Sequence, residues 1–221
     1  VRSFQKYCMK SSDANRILSS PFKDIARFLG ALLLVMFSFL IIPGAMLLGY
    51  MVRVAQSEKK RSKTLPELNN WKELAITGFK VFGILLFWYV IILLINIILG
   101  LIGTSNRLIS LGALAISLVL SASLPLFVNV SIVRLAVKKN FFKALTIREV
   151  VADLRKKLSQ YVLLIAMFLI LTAVLQAIIG LWILTTLTLV NLLVFIVLII
   201  FIGTYSQIII VKLFARIYYD T

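Results

Sequence analysis

The side chains best suited to acid–base chemistry in this sequence are eight carboxylates: Asp13, Asp24, Glu58, Glu67, Glu73, Glu149, Asp153 and Asp220. Glu149 and Asp153 stand four residues apart, a spacing that puts both on one face of a helix. Two neighbouring carboxylates can divide the roles of acid and base. Beside Arg148, Arg155 and Lys156, however, the same spacing describes a solvated amphipathic face, which is the expectation here. The sequence contains no histidine and one cysteine, Cys8. An intrachain disulfide and a Cys/His metal cluster are thereby excluded, and Cys8 has no imidazole to activate it. No phosphate-binding glycine loop, nucleophile elbow or H-E-x-x-H stands in the chain. Catalytic, cofactor-binding and metal residues are therefore expected to be none, and the chain is not expected to be an enzyme.

What surrounds these few acids is apolar. Of 221 residues, 62% are hydrophobic and the mean hydropathy is +1.06, whereas soluble domains run at about 45–50% apolar. The excess lies in runs long enough to cross a bilayer, for which about 20 residues suffice. The fold class expected is an all-α integral membrane protein with five long hydrophobic segments, in a single membrane domain over residues 20–221 behind a basic lead of residues 1–19. The formal charge of +16 would suggest nucleic acid in a soluble protein. Here the cations occupy the breaks between apolar runs, as the positive-inside rule expects, and nucleic acid is not an expected partner.

In chain order, Ser20 and Pro21 read as the N-cap and first residue of a helix, with Asp24 in its first turn. The apolar runs are Phe28 to Val52, Val81 to Gly103, Leu108 to Val133, Leu158 to Ile183 and Leu187 to Val211. A helix starting near Leu68–Trp71 leads into the second run, and Thr64 with Glu67 has capping-box spacing. Basic loops fill about 53–72 and 134–157. KALTIREVVADLRKKL in the second reads as one interfacial helix with Val150, Leu154 and Leu158 as its apolar stripe. The link at Thr185-Thr186 is tight. The first run lacks a signal cleavage site, so insertion through a retained first segment is expected.

Cations decide the topology. The lead holds six, residues 53–80 seven, residues 134–157 eight and the C-terminal end two, with Arg107 alone in the third connection. If the first run crosses once, the best division is seventeen inside against seven outside. If it turns back at Pro43-Gly44, all but Arg107 lie inside, giving six helices. Length opposes this: 25 residues separate Arg27 from Arg53, and two crossings need about 36. The expectation is a hairpin with a short or re-entrant second arm, and both termini in the cytoplasm. Proline removes a backbone donor and clashes with the preceding turn, which places the break at Pro43.

A threefold echo runs through the chain: Pro43 before Met51-Val52-Arg53, Pro125 before Ile132-Val133-Arg134, and Gly203 before Ile210-Val211-Lys212. Repeated helix-pair units are a common membrane construction. Arg53, Arg134 and Lys212 would then sit at matching depths and could converge on an anionic lipid headgroup; the ordinary reading is three snorkelling boundary cations. Asn129, Ser131, Ser206 and Gln207 are candidates for a polar path, although such groups usually join helices, at about 0.6 kcal/mol each. No carboxylate lies mid-membrane, which argues against proton-coupled transport.

GYMVRV (Gly49–Val54), LPELNNW (Leu65–Trp71), GFK (Gly78–Lys80) and IVRLAVKKNFFKALTIREV (Ile132–Val150) resemble the archaeal family called domain of unknown function 4013. FIGTYSQIIIVKLFARIY (Phe201–Tyr218) is similar to that family's closing helix, so the resemblance runs from about Ser20 to near the end of the chain. It implies a multi-pass archaeal membrane protein with no assigned reaction and no catalytic residues to carry over. The loop KKRSK departs from the acid-rich loops of many members. Together these readings point to a structural, scaffold or accessory component of the cell membrane. Its partners would be the bilayer, anionic headgroups, another membrane protein or a second copy; the alternative is a channel or facilitator for a small solute.

Overall fold

The computed structural model describes residues 11–38, 40–103, 107–164, 166, 170 and 189–219. Among these the regular elements are helices: α1 (Ser11–Ser19), α2 (Ile25–Met36), α3 (Ile41–Lys59), α4 (Trp71–Gly103), α5 (Arg107–Lys138), α6 (Phe141–Leu145), α7 (Ile147–Lys156) and α8 (Leu189–Tyr219). Residues 158–164 are also helical.

The first helix boundary differs from expectation. Ser20 ends α1 rather than starting a helix: its hydroxyl donates to the Ile17 carbonyl at 2.7 Å. The cap of α2 is Asp24, whose carboxylate accepts from the Arg27 amide at 3.3 Å and pairs with the Arg27 guanidinium at 2.8 Å. A charged cap that also holds a side chain outcompetes a hydroxyl.

The first apolar run does not break at Pro43-Gly44. Helix α2 stops at Met36, Leu40 precedes α3, and Pro43 is the third residue of α3. A proline in the first turn lacks a donor that would be orphaned anyway, so it costs the helix nothing there. The break falls instead between Met36 and Ile41, where the Ser38 hydroxyl donates to the Val35 carbonyl at 2.7 Å.

The segment nevertheless folds back. Arg27, at the start of α2, donates to the Leu65 carbonyl and pairs with Glu67 at 3.2 Å, both beyond the end of α3. Arg16 pairs with Glu58 and donates to the Ser62 carbonyl at 3.0 Å. The two ends of the α2–α3 hairpin thus lie together, as the charge count required. Its first arm has 12 residues, about 18 Å of helix, well short of a hydrocarbon layer of about 30 Å.

Among the described residues, three helices are long and apolar enough to cross a membrane: Trp71–Ile102, Ser110–Lys138 and Val197–Tyr219. The first of the five expected runs is a hairpin of shorter arms. Most of the fourth, together with Thr185-Thr186, lies outside the described residues.

Helix α3 is the centre of the bundle, touching α2, α4, α5 and α8. Tyr50, Val52, Val54 and Ala55 are buried to 2% exposure or less, so this helix is enclosed around most of its girth between Tyr50 and Ala55. Its approach to α4 depends on two glycines. A Cβ at Gly49 would overlap the Leu74 carbonyl, and one at Gly78 the Ala45 carbonyl. Small residues let helix backbones meet this closely. Deeper in the core, the Trp88 ring stacks on Phe127 with centroids 4.7 Å apart, and its N–H donates to the Ser131 hydroxyl at 2.9 Å.

Two smaller expectations also change. The Thr64–Glu67 capping box does not form: residues 65–70 are non-helical, and α4 starts at Trp71 behind Asn70, whose φ is 55°. The interfacial stretch 143–158 is two helices, α6 and α7, divided at Thr146. Val150 and Leu154 are buried as the stripe required, but Leu158 is half exposed.

Candidate functional site

The notable chemistry lies at one end of the bundle, where the C-terminal ends of α3, α5 and α8 meet the N-terminal end of α4. Arg53 of α3 reaches Glu73 of α4 at 2.9 Å, and Gln56 of α3 donates to the Ala136 carbonyl of α5 at 3.3 Å. Arg216 of α8 pairs with Asp13 of α1 at 2.7 Å. The basic lead, both basic loops and the end of α8 therefore share one end.

Of the three cations of the sequence echo, two do the same job. Arg53 donates to the Glu67 carbonyl (3.1 Å), the Asn69 carbonyl (2.5 Å), the Asn69 side-chain oxygen (2.9 Å) and Glu73. Arg134, 2% exposed, holds the carboxylates of Glu149 and Asp153 and donates to the Lys143 carbonyl at 3.0 Å. Each guanidinium clamps the segment that follows its own helix. Lys212 is different. It is fully buried, and among the described residues its Nζ has no hydrogen-bond partner. Arg53, Arg134 and Lys212 do not meet at one point; each has its own surroundings.

The four candidates for a polar path are likewise separate. The Asn129 amide donates to the Pro125 carbonyl at 2.9 Å within its own helix. Ser131 is buried and accepts from Trp88, Ser206 is buried, and Gln207 is exposed. No hydrogen bond joins any two of them among the described residues.

Carboxylates show the site's character most clearly. Each described one is paired with an arginine: Asp13 with Arg16 and Arg216, Asp24 with Arg27, Glu58 with Arg16, Glu67 with Arg27, Glu73 with Arg53, and Glu149 and Asp153 with Arg134. Asp153 thus faces a buried guanidinium, and Glu149 pairs with the same guanidinium from a half-exposed position. The described residues hold no group of three potential metal-ligating side chains. Sequence reasoning missed the Arg134 clamp and the Asp13–Arg216 tie. The first was visible as two carboxylates one helical turn apart downstream of an arginine at the end of an apolar run. The second joins residues 203 positions apart, and no local pattern announces it.

Among the described residues the regular elements are all helices, three of them apolar and of membrane length, with a basic end, and that is the class of protein this geometry defines. Residues 32–184, more than half of the chain, match the family described as a protein of unknown function, DUF4013. The chain belongs to that family. The match stops before α8, so the likeness read into residues 201–218 and the lead from Ser20 lies outside it. No curated protein and no solved structure matches the chain.

Proposed function

We propose that this chain is a non-catalytic structural or accessory component of an archaeal cell membrane. It is multi-pass, with its basic end in the cytoplasm, and it contacts anionic lipid, another membrane protein or a second copy of itself. The observation that carries this reading is the pairing of every described carboxylate with an arginine. A general base or a proton-coupling carboxylate needs a free or exchangeable proton site, and these acids instead hold loops and helices to the bundle. The cytoplasmic side is assigned by charge: short loops rich in lysine and arginine stay inside. Large apolar side chains such as Leu94, Ile98, Leu114 and Leu118 stand exposed along α4 and α5, a surface suited to acyl chains or another apolar helix.

The test is extraction into a mild detergent, followed by identification of the lipids and proteins that remain bound. Stoichiometric retention of a membrane protein or an anionic lipid is expected. A monomer retaining neither would count against the proposal. The rival reading, a channel or facilitator, would show as solute flux from liposomes that falls with Asn129→Leu or Gln207→Leu.

A further inference from the structure

Five cations and two carboxylates gather where α1, the turn after α3 and the end of α8 meet. Arg16 and Arg216 share Asp13, and Arg16 also holds Glu58. Lys212 lies among them, desolvated by its burial and within electrostatic reach of Glu58, Arg16 and Lys23. Beside this cluster is a pocket of about 480 Å³ lined by Asp13, Asn15, Arg16, Ser19, Lys23 and Lys63. Both carboxylates are already engaged by arginine, and among the described residues Lys23, Lys63 and Lys212 form no ion pair. A fully buried ammonium with no hydrogen-bond partner is costly unless an anion offsets it.

We propose that the pocket between α1 and the turn following α3, lined by Arg16, Lys23 and Lys63 and backed by buried Lys212, binds a phosphate-type anion. Lys23 and Lys63 act as mobile cations at the rim, with Asn15 and Ser19 as neutral donors. Arg16 carries the fixed charge of the floor. The neighbouring surface suits a lipid source: Leu18 and Phe22, on either side of Ser19, are half exposed, at the level where acyl chains would continue from a headgroup. This deepens the lipid-contact reading and rests on it only for the origin of the phosphate.

The experiment uses the full chain in a neutral detergent, with its unfolding midpoint followed against three probes: inorganic phosphate, micellar phosphatidic acid and micellar phosphatidylcholine. Phosphatidic acid is expected to raise the midpoint in a saturable way and phosphatidylcholine to leave it unchanged. A rise with inorganic phosphate as well assigns the site to free phosphate; a rise with the lipid alone assigns it to a headgroup. The double variant Lys23→Gln/Lys63→Gln, which alters only exposed side chains, is expected to need about a hundredfold more probe, tenfold per lost cation. Lys212→Met is expected to fold at least as stably as the parent without probe, yet to lose most of the response. Failure of both phosphate probes to raise the midpoint refutes the site, as does an unaltered response in the Lys23/Lys63 variant. Retention of a partner protein on extraction would uphold the proposed role even then.

Discussion

Replacing Arg134 by alanine isolates the strongest clamp in the molecule. The guanidinium has a side-chain exposure of 3%, against 17% for Asp153 and 53% for Glu149. Removing one member of a buried ion pair costs about 3–5 kcal/mol, because the other charge is left desolvated without a partner. A half-exposed pair contributes about 0–1 kcal/mol, so most of the loss belongs to Asp153. For a chain of this size each kcal/mol moves the midpoint by about 2–4 °C, which gives a drop of about 6–20 °C for Arg134→Ala. Glu149→Gln is expected to cost less than about 1 kcal/mol by the same reasoning. The assay is thermal unfolding in detergent, followed by circular dichroism and by reaction of a Val150→Cys reporter, a position now fully buried beneath α7. Arg134→Met combined with Glu149→Gln and Asp153→Asn should recover most of the loss, since neutralising every member leaves no charge desolvated without a partner. A single variant within about 0.5 kcal/mol of the parent, or a triple variant as unstable as Arg134→Ala, would refute the reasoning.

Other substitutions test separate parts of the fold. Gly78→Ala should cost about 1–3 kcal/mol, because the added methyl forces α3 and α4 apart, and the same detergent unfolding assay reads it. Arg61 sits at φ 50° just past α3, donating its amide to the Glu58 carbonyl at 2.9 Å. Arg61→Gly should therefore stabilise by up to about 1 kcal/mol despite the loss of a loop cation; a lower midpoint would contradict that. Ser131→Ala leaves the buried Trp88 N–H without its acceptor and should cost about 1–3 kcal/mol, with a shift in tryptophan emission as an independent readout.

The bundle's apolar helices were legible because their runs are long and their breaks charged. The start of α4 lies within the expected Leu68–Trp71, and Val150 and Leu154 are buried as the apolar stripe of their helix required. The position of the hairpin turn was not legible. Pro43 looks like a breaker, but a proline breaks a helix only where a donor is needed, and in the first turn of α3 none is. The carbonyls of Leu74 and Ala45 that Gly49 and Gly78 admit come into view only once the two helices are crossed. At the site, the echo grouped Arg53, Arg134 and Lys212 and suggested a shared lipid, whereas two of them clamp the segments after their own helices. Each is satisfied by carboxylates within its own following segment, and only Lys212 lacks that arrangement.

One topological claim supports the rest: the lead, the turn after α3 and the turn after α5 lie on the same side of the bilayer. Single cysteines at Asn15, Lys63 and Lys139, in a Cys8→Ser background, can be challenged with a membrane-impermeant maleimide in sealed cells and in inverted vesicles. All three are expected to be protected in cells and labelled in inverted vesicles. Labelling of the Asn15 position from the outside of intact cells, with Lys63 and Lys139 protected, would contradict the hairpin and the account built on it.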